Sequence, residues 1–221
     1  MIKKGWLWLS VLSLLLALFS VYNVSGFLKW IQPDRLNGHQ MQLSWQSPNV
    51  HDHQGNEINW RDVSQRPFYI ATGFTSCPHS CPAIMANLQV LAKHFGDQAY
   101  YFFLTIDPQR DTPQTLADYV SAYDSRIVGI RTDDDALLRS TLGALAQSFQ
   151  LSSSNTSISH QNRIYLIHPS SEGLILYDGN RFSISQIKHD FEVLSQTSNS
   201  SLSSSPQIAW ESSNARTTSR F

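Results

Sequence analysis

Residues 67–82 read PFYIATGFTSCPHSCP: an apolar run, a glycine-containing turn, then two cysteines four apart, each followed by proline. A short continuous apolar run bounded by turn residues reads as a strand buried on both faces. Beyond it, Ile84, Leu88, Leu91 and Phe95 recur at i, i+4, i+7 and i+11, the core stripe of an α-helix, and Gly96 stands where a C-terminal cap is expected. The two thiols therefore fall in the turn between a buried strand and its helix. Outward from there, residues 99–106 (AYYFFLTI) form a second buried strand. Thr112-Pro113 opens a helix with a cap residue followed by proline, and its core face is Leu116, Val120 and Tyr123. Residues 127–131 read as a short strand. Thr132 with Asp135 resembles a capping box ahead of a helix burying Leu138, Leu142, Leu145 and Phe149. After a polar loop over 152–161, strands at 163–168 and 174–177 flank a hairpin connection at 169–173, and Ile184, Ile187, Phe191 and Leu194 mark a last helix. Residues 40–60 are poorly patterned and are expected to form at most an N-terminal hairpin.

The element order βαβα, βα, ββα calls for a sheet covered on both faces with an antiparallel edge. The expected fold is α/β, a thioredoxin-like three-layer sandwich with an inserted βα unit, spanning residues 67–194. A flavodoxin-like sheet is the rival, but it would not normally end in ββα.

The 221 residues carry 16 Lys and Arg against 17 Asp and Glu, a formal charge of −1. That balance excludes a polybasic surface, so no nucleic-acid partner is expected. Two cysteines are too few for a disulfide scaffold or a four-thiolate zinc site. A 41% hydrophobic content suffices for a packed core. Residues 5–28 hold no charge and follow Lys3 and Lys4; as a helix they would reach about 36 Å, more than a bilayer core requires. Trp6, Trp8, Tyr22 and Trp30 suit the two membrane interfaces. Residues 1–30 are accordingly expected to form an uncleaved N-terminal transmembrane anchor, with a cleaved signal peptide and a buried helix as competing readings. Lys3 and Lys4 place the N-terminus in the cytoplasm and send the rest across the membrane. No Arg- and Ser-rich transit segment is present, so a bacterial inner membrane with a periplasmic domain is expected. Residues 31–66 read as a linker with the N-terminal hairpin, and 195–221, with ten Ser in 27 residues, as a disordered tail.

A helix N-terminus favours negative charge, so Cys77 and Cys81 lie where thiolates are stabilised. Soft thiolates suit Cu(I), zinc or an iron–sulfur centre. The last two prefer four protein ligands, whereas two Cys and one His make a three-coordinate N/S₂ set that Cu(I) accepts. The same pair can also close as a disulfide outside the cytoplasm, acting as redox-active thiols or as a structural bridge.

GFTSCPHSCP over 73–82, followed 25 residues later by Asp107-Pro108-Gln109-Arg110-Asp111-Thr112-Pro113, resembles the Sco (SenC/PrrC-like) family. Its members are membrane-anchored, thioredoxin-fold copper proteins involved in assembling cytochrome c oxidase. The resemblance implies copper ligation by Cys77 and Cys81, with His160 as third ligand, five residues before Tyr165-Leu166-Ile167-His168-Pro169. His160 is also the best choice from the residues themselves, since it lies in a polar loop feeding a strand. Copper is expected as Cu(I), with Cu(II) as the other oxidation state. The implied partner is the copper-bearing subunit of cytochrome c oxidase, alongside other copper chaperones or thiol reductants. Three activities compete: a copper chaperone, a thiol–disulfide oxidoreductase acting on the target's cysteines, and, on the shared scaffold alone, a peroxiredoxin-like peroxidase. His79 reads as an exposed neighbour, His168 as a strand-end residue, and His51-Asp52-His53 as a solvated loop rather than an accessory metal site. Asp107 is expected to be structural or to orient the ligands, with Arg110 and Asp111 pairing locally. Ser159 stands where the family usually has Asp before the ligand histidine.

Overall fold

A computed structural model describes residues 13–14, 19, 35–42, 48–77, 80–145, 149–151, 158–171 and 173–201. The chain divides into two compact units, 1–35 and 36–221. Of the first unit, Ser13, Leu14 and Phe19 are described as helical, and Leu14 and Phe19 are exposed. The rest of the expected anchor lies outside the described residues, among which no helix is long and apolar enough to cross a membrane.

The second unit is built on a seven-stranded mixed sheet. Its strands in chain order are β1 (His39–Gln42), β2 (His51–Asp52), β3 (Phe68–Gly73), β4 (Tyr100–Thr105), β5 (Ile127–Arg131), β8 (Arg163–Ile167) and β9 (Gly173–Asp178), arranged β1-β9-β8-β3-β4-β5-β2. The remaining two strands, β6 (Phe149–Leu151) and β7 (Ile158–His160), pair antiparallel in a separate small sheet. β3, β4 and β5 run parallel, and β8 runs antiparallel to β3. The helices are α1 (Trp60–Val63), α2 (Ser80–Phe95), α3 (Pro113–Ser121), α4 (Asp135–Ala144) and α5 (Ile184–Ser201).

Every residue of β3 is buried, as its unbroken apolar pattern requires at the centre of a two-sided sheet. Alternation then sorts the side chains. Tyr69 stacks on Tyr101 and on Phe95 of α2, and Phe95 meets Phe191 of α5 with centroids 4.5 Å apart. On the opposite face Trp60 of α1 packs against Phe68 and Phe102, while its indole N–H donates to the Pro48 carbonyl at 2.6 Å. Helices thus cover both faces, and the antiparallel β8–β9 hairpin beside β3 excludes the flavodoxin-like alternative. The expected stripe of α2 is buried throughout, and Gly96 takes the left-handed φ of +52°. Thr112 caps α3 by accepting from the Thr115 N–H, with Pro113 at the first position.

Several expectations need correction. The poorly patterned 40–60 segment holds a short antiparallel hairpin over 50–58, where His51 bridges Glu57 and the Ile58 N–H donates to the Val50 carbonyl at 3.0 Å, but its two sheet strands do not pair with each other and lie at opposite edges, β1 against β9 and β2 against β5. β1 is held there by Asp190 of α5, fully buried, whose carboxylate accepts from the Asn37 N–H and amide, the Gly38 N–H and the Tyr177 hydroxyl at 2.8–2.9 Å. α4 is capped by Asp134, which accepts from the N–H groups of Ala136 and Leu137, and Thr132 instead accepts from the Asp134 N–H. Two cap-competent side chains stand close together there, and the one nearer the first turn prevails. Phe149 belongs to β6 rather than to α4, which ends at Ala144, and the loop expected over 152–161 includes strand β7. α5 continues to Ser201, seven residues into the segment expected to be disordered; residues 202–221 lie outside the described part.

His168, expected as a strand-end residue, is buried at the β8–β9 turn. Its Nδ1 accepts from the Ser170 N–H at 3.2 Å and meets the Ser170 hydroxyl at 2.7 Å, while Phe191 packs edge-on against the ring. Burial pulls its pKa down to about 4. A histidine kept neutral in the fold but free to protonate near 6.5 when unfolded contributes stability that is present above that pH and is lost on acidification toward the folded value. Stability is therefore expected to fall by roughly 3 kcal/mol between pH 6.5 and 4 from this group. Urea unfolding across that range should show a flatter profile for His168→Asn.

Candidate metal centre

Cys77 and Cys81 straddle the start of α2, just beyond the C-terminal end of β3. Cys81 is the second residue of α2 and is completely buried; Cys77 is half-buried, its N–H donating to the Phe74 carbonyl at 3.2 Å. Both are thiols, and no disulfide joins them. Their depth follows from a close approach at Gly73, where a side-chain carbon would stand 2.7 Å from the Cys81 sulfur and 3.0 Å from the Phe103 ring. Glycine lets the helix start fall onto the strand, so one sulfur is packed inside while the other remains partly accessible. Pro78 and His79, between them, lie outside the described residues.

The loop is anchored upstream by a side chain whose role the local pattern did not reveal. Asp111 is completely buried, and its carboxylate accepts from the Thr75 N–H at 3.0 Å, the Thr75 hydroxyl at 2.6 Å and the Thr105 hydroxyl at 2.6 Å. One carboxylate so fixes the residue two before Cys77 to the end of β4. This overturns the expected Arg110–Asp111 pair: Arg110 turns outward and pairs with Asp107, leaving Asp111 to face inward. Asp107 is engaged in that ion pair, and its N–H donates to the Thr105 hydroxyl at 3.1 Å. The sequence signal was present in part: Thr75 and Thr105 each close an apolar strand region, and a polar residue there needs a partner.

Tyr119 lines the same region, with its ring 5.5 Å from Phe103. Burial, followed by the neighbouring Tyr123 and the two thiols, raises its pKa far above that of an ordinary phenol, so it stays protonated.

His160 ends β7, opposite Phe149 of β6. Its backbone is described and its side chain is not. Among the described residues no three His, Cys, Asp or Glu side chains gather as a metal site; the expected set of Cys77, Cys81 and His160 extends beyond them. His51 and His53 make no such site. The His53 Nδ1 accepts from the Gly129 N–H at 3.1 Å, and Asp52 is used by the N–H groups of Gln54 and Asn56.

A mixed sheet with a parallel core and an antiparallel ββα end, with two thiols at a strand-to-helix turn, defines a thioredoxin-like fold. The SCO1/SenC family model matches residues 42–196. The chain belongs to that family. It is 36% identical over 83 residues to protein sco1 of Schizosaccharomyces pombe, covering 36% of this chain and 32% of that one. It is 31% identical over 85 residues to mitochondrial SCO1 of Saccharomyces cerevisiae, covering 37% and 29%. The matched segments thus span only about a third of those relatives. Among solved structures, copper-bound ScoI of Bradyrhizobium japonicum superposes with a TM-score of 0.53 at 20% identity, over 71% of this chain and 96% of that one. Copper-bound yeast Sco1 gives 0.53 at 22%, over 72% and 90%. BsSco, described by a disulfide switch and as a member of the Sco family of cytochrome c oxidase assembly proteins, gives 0.56 at 17%, over 74% and 98%.

Replacing Asp111 by Ala would strand the Thr75 N–H and two hydroxyls beside the cysteine turn. Asp111→Ala is expected to cost about 3 kcal/mol of stability in urea unfolding. Asp111→Asn, which keeps one carbonyl acceptor, should cost less.

Proposed function

We propose that this chain is a membrane-anchored copper carrier. Cys77, Cys81 and His160 hold Cu(I) as cargo and deliver it to the dinuclear copper site on the copper-bearing subunit of cytochrome c oxidase. The observation that carries the reading is the thiol pair at the start of α2, one sulfur buried and one half-exposed, in a chain of the SCO1/SenC family. Two soft sulfurs suit a monovalent soft cation, and an imidazole supplies the third donor such an ion accepts. The copper-bound state of two solved relatives supports the same cargo. The anchor over 1–30 and a periplasmic position for the rest of the chain belong to this reading; both follow from the uncharged 5–28 segment and from Lys3 and Lys4.

Release is a ligand exchange. A thiolate of the recipient approaches the accessible side of the ion and displaces the half-exposed Cys77 before the buried Cys81, so copper is never left bare. Asp111 keeps the loop in one shape through this exchange by holding Thr75. The protein supplies position and a helix N-terminus that favours the negative sulfurs left after transfer.

A second reading uses the same sulfurs without metal. The two thiols lose two protons and two electrons to a disulfide in the recipient, which is reduced to a dithiol while Cys77 and Cys81 become joined. The disulfide switch described for BsSco favours keeping this chemistry in view. It needs no histidine, and that difference decides between the readings.

Cu(I) titration against a competing chelator is expected to show one tight site in the wild type. Cys77→Ser and Cys81→Ser should abolish it, and His160→Ala should weaken it by at least tenfold while leaving disulfide exchange intact. Unchanged affinity in His160→Ala would leave the oxidoreductase as the better reading. Copper retention should also fall from neutral pH to about pH 5, as imidazole and thiolates take up protons. Retention flat over that range would contradict the ligand set.

A further inference from the structure

His160 and the cysteines lie on elements far apart in sequence, so something must set the distance between them. Two residues after His160 stands Asn162, a polar side chain in a buried position, 8% exposed. Its amide donates to the Asn180 side-chain carbonyl at 2.9 Å, while its own Oδ1 is shielded from solvent with no hydrogen-bond partner among the described residues. Half an amide left unsatisfied in the interior costs stability.

The backbone of the same residue links two elements. The Asn162 carbonyl accepts from the Gly179 N–H at 2.9 Å, and the Gly179 carbonyl accepts from the Asn87 side-chain amide at 2.9 Å. Asn87 lies on α2, six residues beyond Cys81, about 9 Å along the helix axis. A chain of two hydrogen bonds thus runs from the helix that carries Cys81, through Gly179, to the chain leaving His160. Gly179 has no room for a side chain: a carbon there would stand 2.6 Å from Ile84 Cδ1 of α2 and 2.7 Å from Asn162 Oδ1. The helix, the turn at Gly179 and the segment joining β7 to β8 meet here.

We propose that the Asn87 side chain, with the Gly179 and Asn162 backbones, forms a latch that sets the reach of His160 to the two sulfurs, making Asn87 a positioning residue for the third copper ligand. This rests on the reading of His160 as a ligand. Outer-shell groups that orient a metal ligand typically contribute about 10- to 100-fold in affinity. Asn87 is half-buried on the helix surface, so its truncation removes the latch bond with little repacking.

The test is a double-mutant cycle on the full-length protein, with Cu(I) affinity measured by chelator competition and the thiol–disulfide potential measured on the metal-free protein. Asn87→Ala is expected to weaken Cu(I) binding about tenfold with the potential unchanged, and to have no further effect when His160→Ala is already present. Gly179→Ala should follow the same pattern; should it fail to fold, Asn87→Ala carries the test. An Asn87→Ala effect of equal size with and without His160, or none with His160 present, would overturn the latch. Were His160→Ala itself to bind copper as tightly as the wild type, the ligand reading would fail and the latch with it, which the single variant reveals separately.

Discussion

The cysteine centre depends on how closely the start of α2 approaches the end of β3. At Gly73 there is no space for even one carbon between strand and helix, and the Cys81 sulfur occupies the position that a side chain would need. Everything else in the centre follows from that contact. Because α2 cannot move away from the sheet without exposing Ile84, Leu88, Leu91 and Phe95, the sulfur depth is held by the whole hydrophobic core rather than by the loop. A loop alone would let both thiols wander; here one is packed in place and the other is presented.

Around this contact, polar side chains fix the chain on either side of the thiols. Asp111 holds Thr75 to Thr105 upstream, and the bonds through Gly179 tie the exit of the His160 strand to α2. Both devices use hydrogen bonds inside a low-dielectric interior, where geometry is strict and an unmade bond is costly. Such bonds suit the carrier proposed above, which would have to bind a cation firmly yet expose it to an incoming thiolate.

What the sequence could and could not reveal follows from the range of the interactions. β3 and β4 were legible because a two-sided buried strand must be apolar throughout, and α3 because Thr112-Pro113 is a local signal. The cysteine turn was legible for the same reason. Edge strands β1 and β2 were not: they are short and half-exposed, and their partners lie far along the chain, so no periodicity betrays them. Asp111 and Asp190 look like ordinary charged residues, since nothing next to them shows that Thr75 and Asn37 will meet them in the interior. Between Thr132 and Asp134 the choice of cap was one of geometry within a single turn. The pairing of Phe149 with His160 was hidden by the polar loop between them.

The central claim is that two sulfurs and one imidazole converge on a single monovalent copper ion, and X-ray absorption at the copper edge of the Cu(I)-loaded protein tests it most directly. The account predicts a three-coordinate spectrum with two sulfur scatterers and one imidazole nitrogen, collapsing to two-coordinate sulfur in His160→Ala. A wild-type spectrum with sulfur ligands alone, unchanged by that substitution, would contradict it.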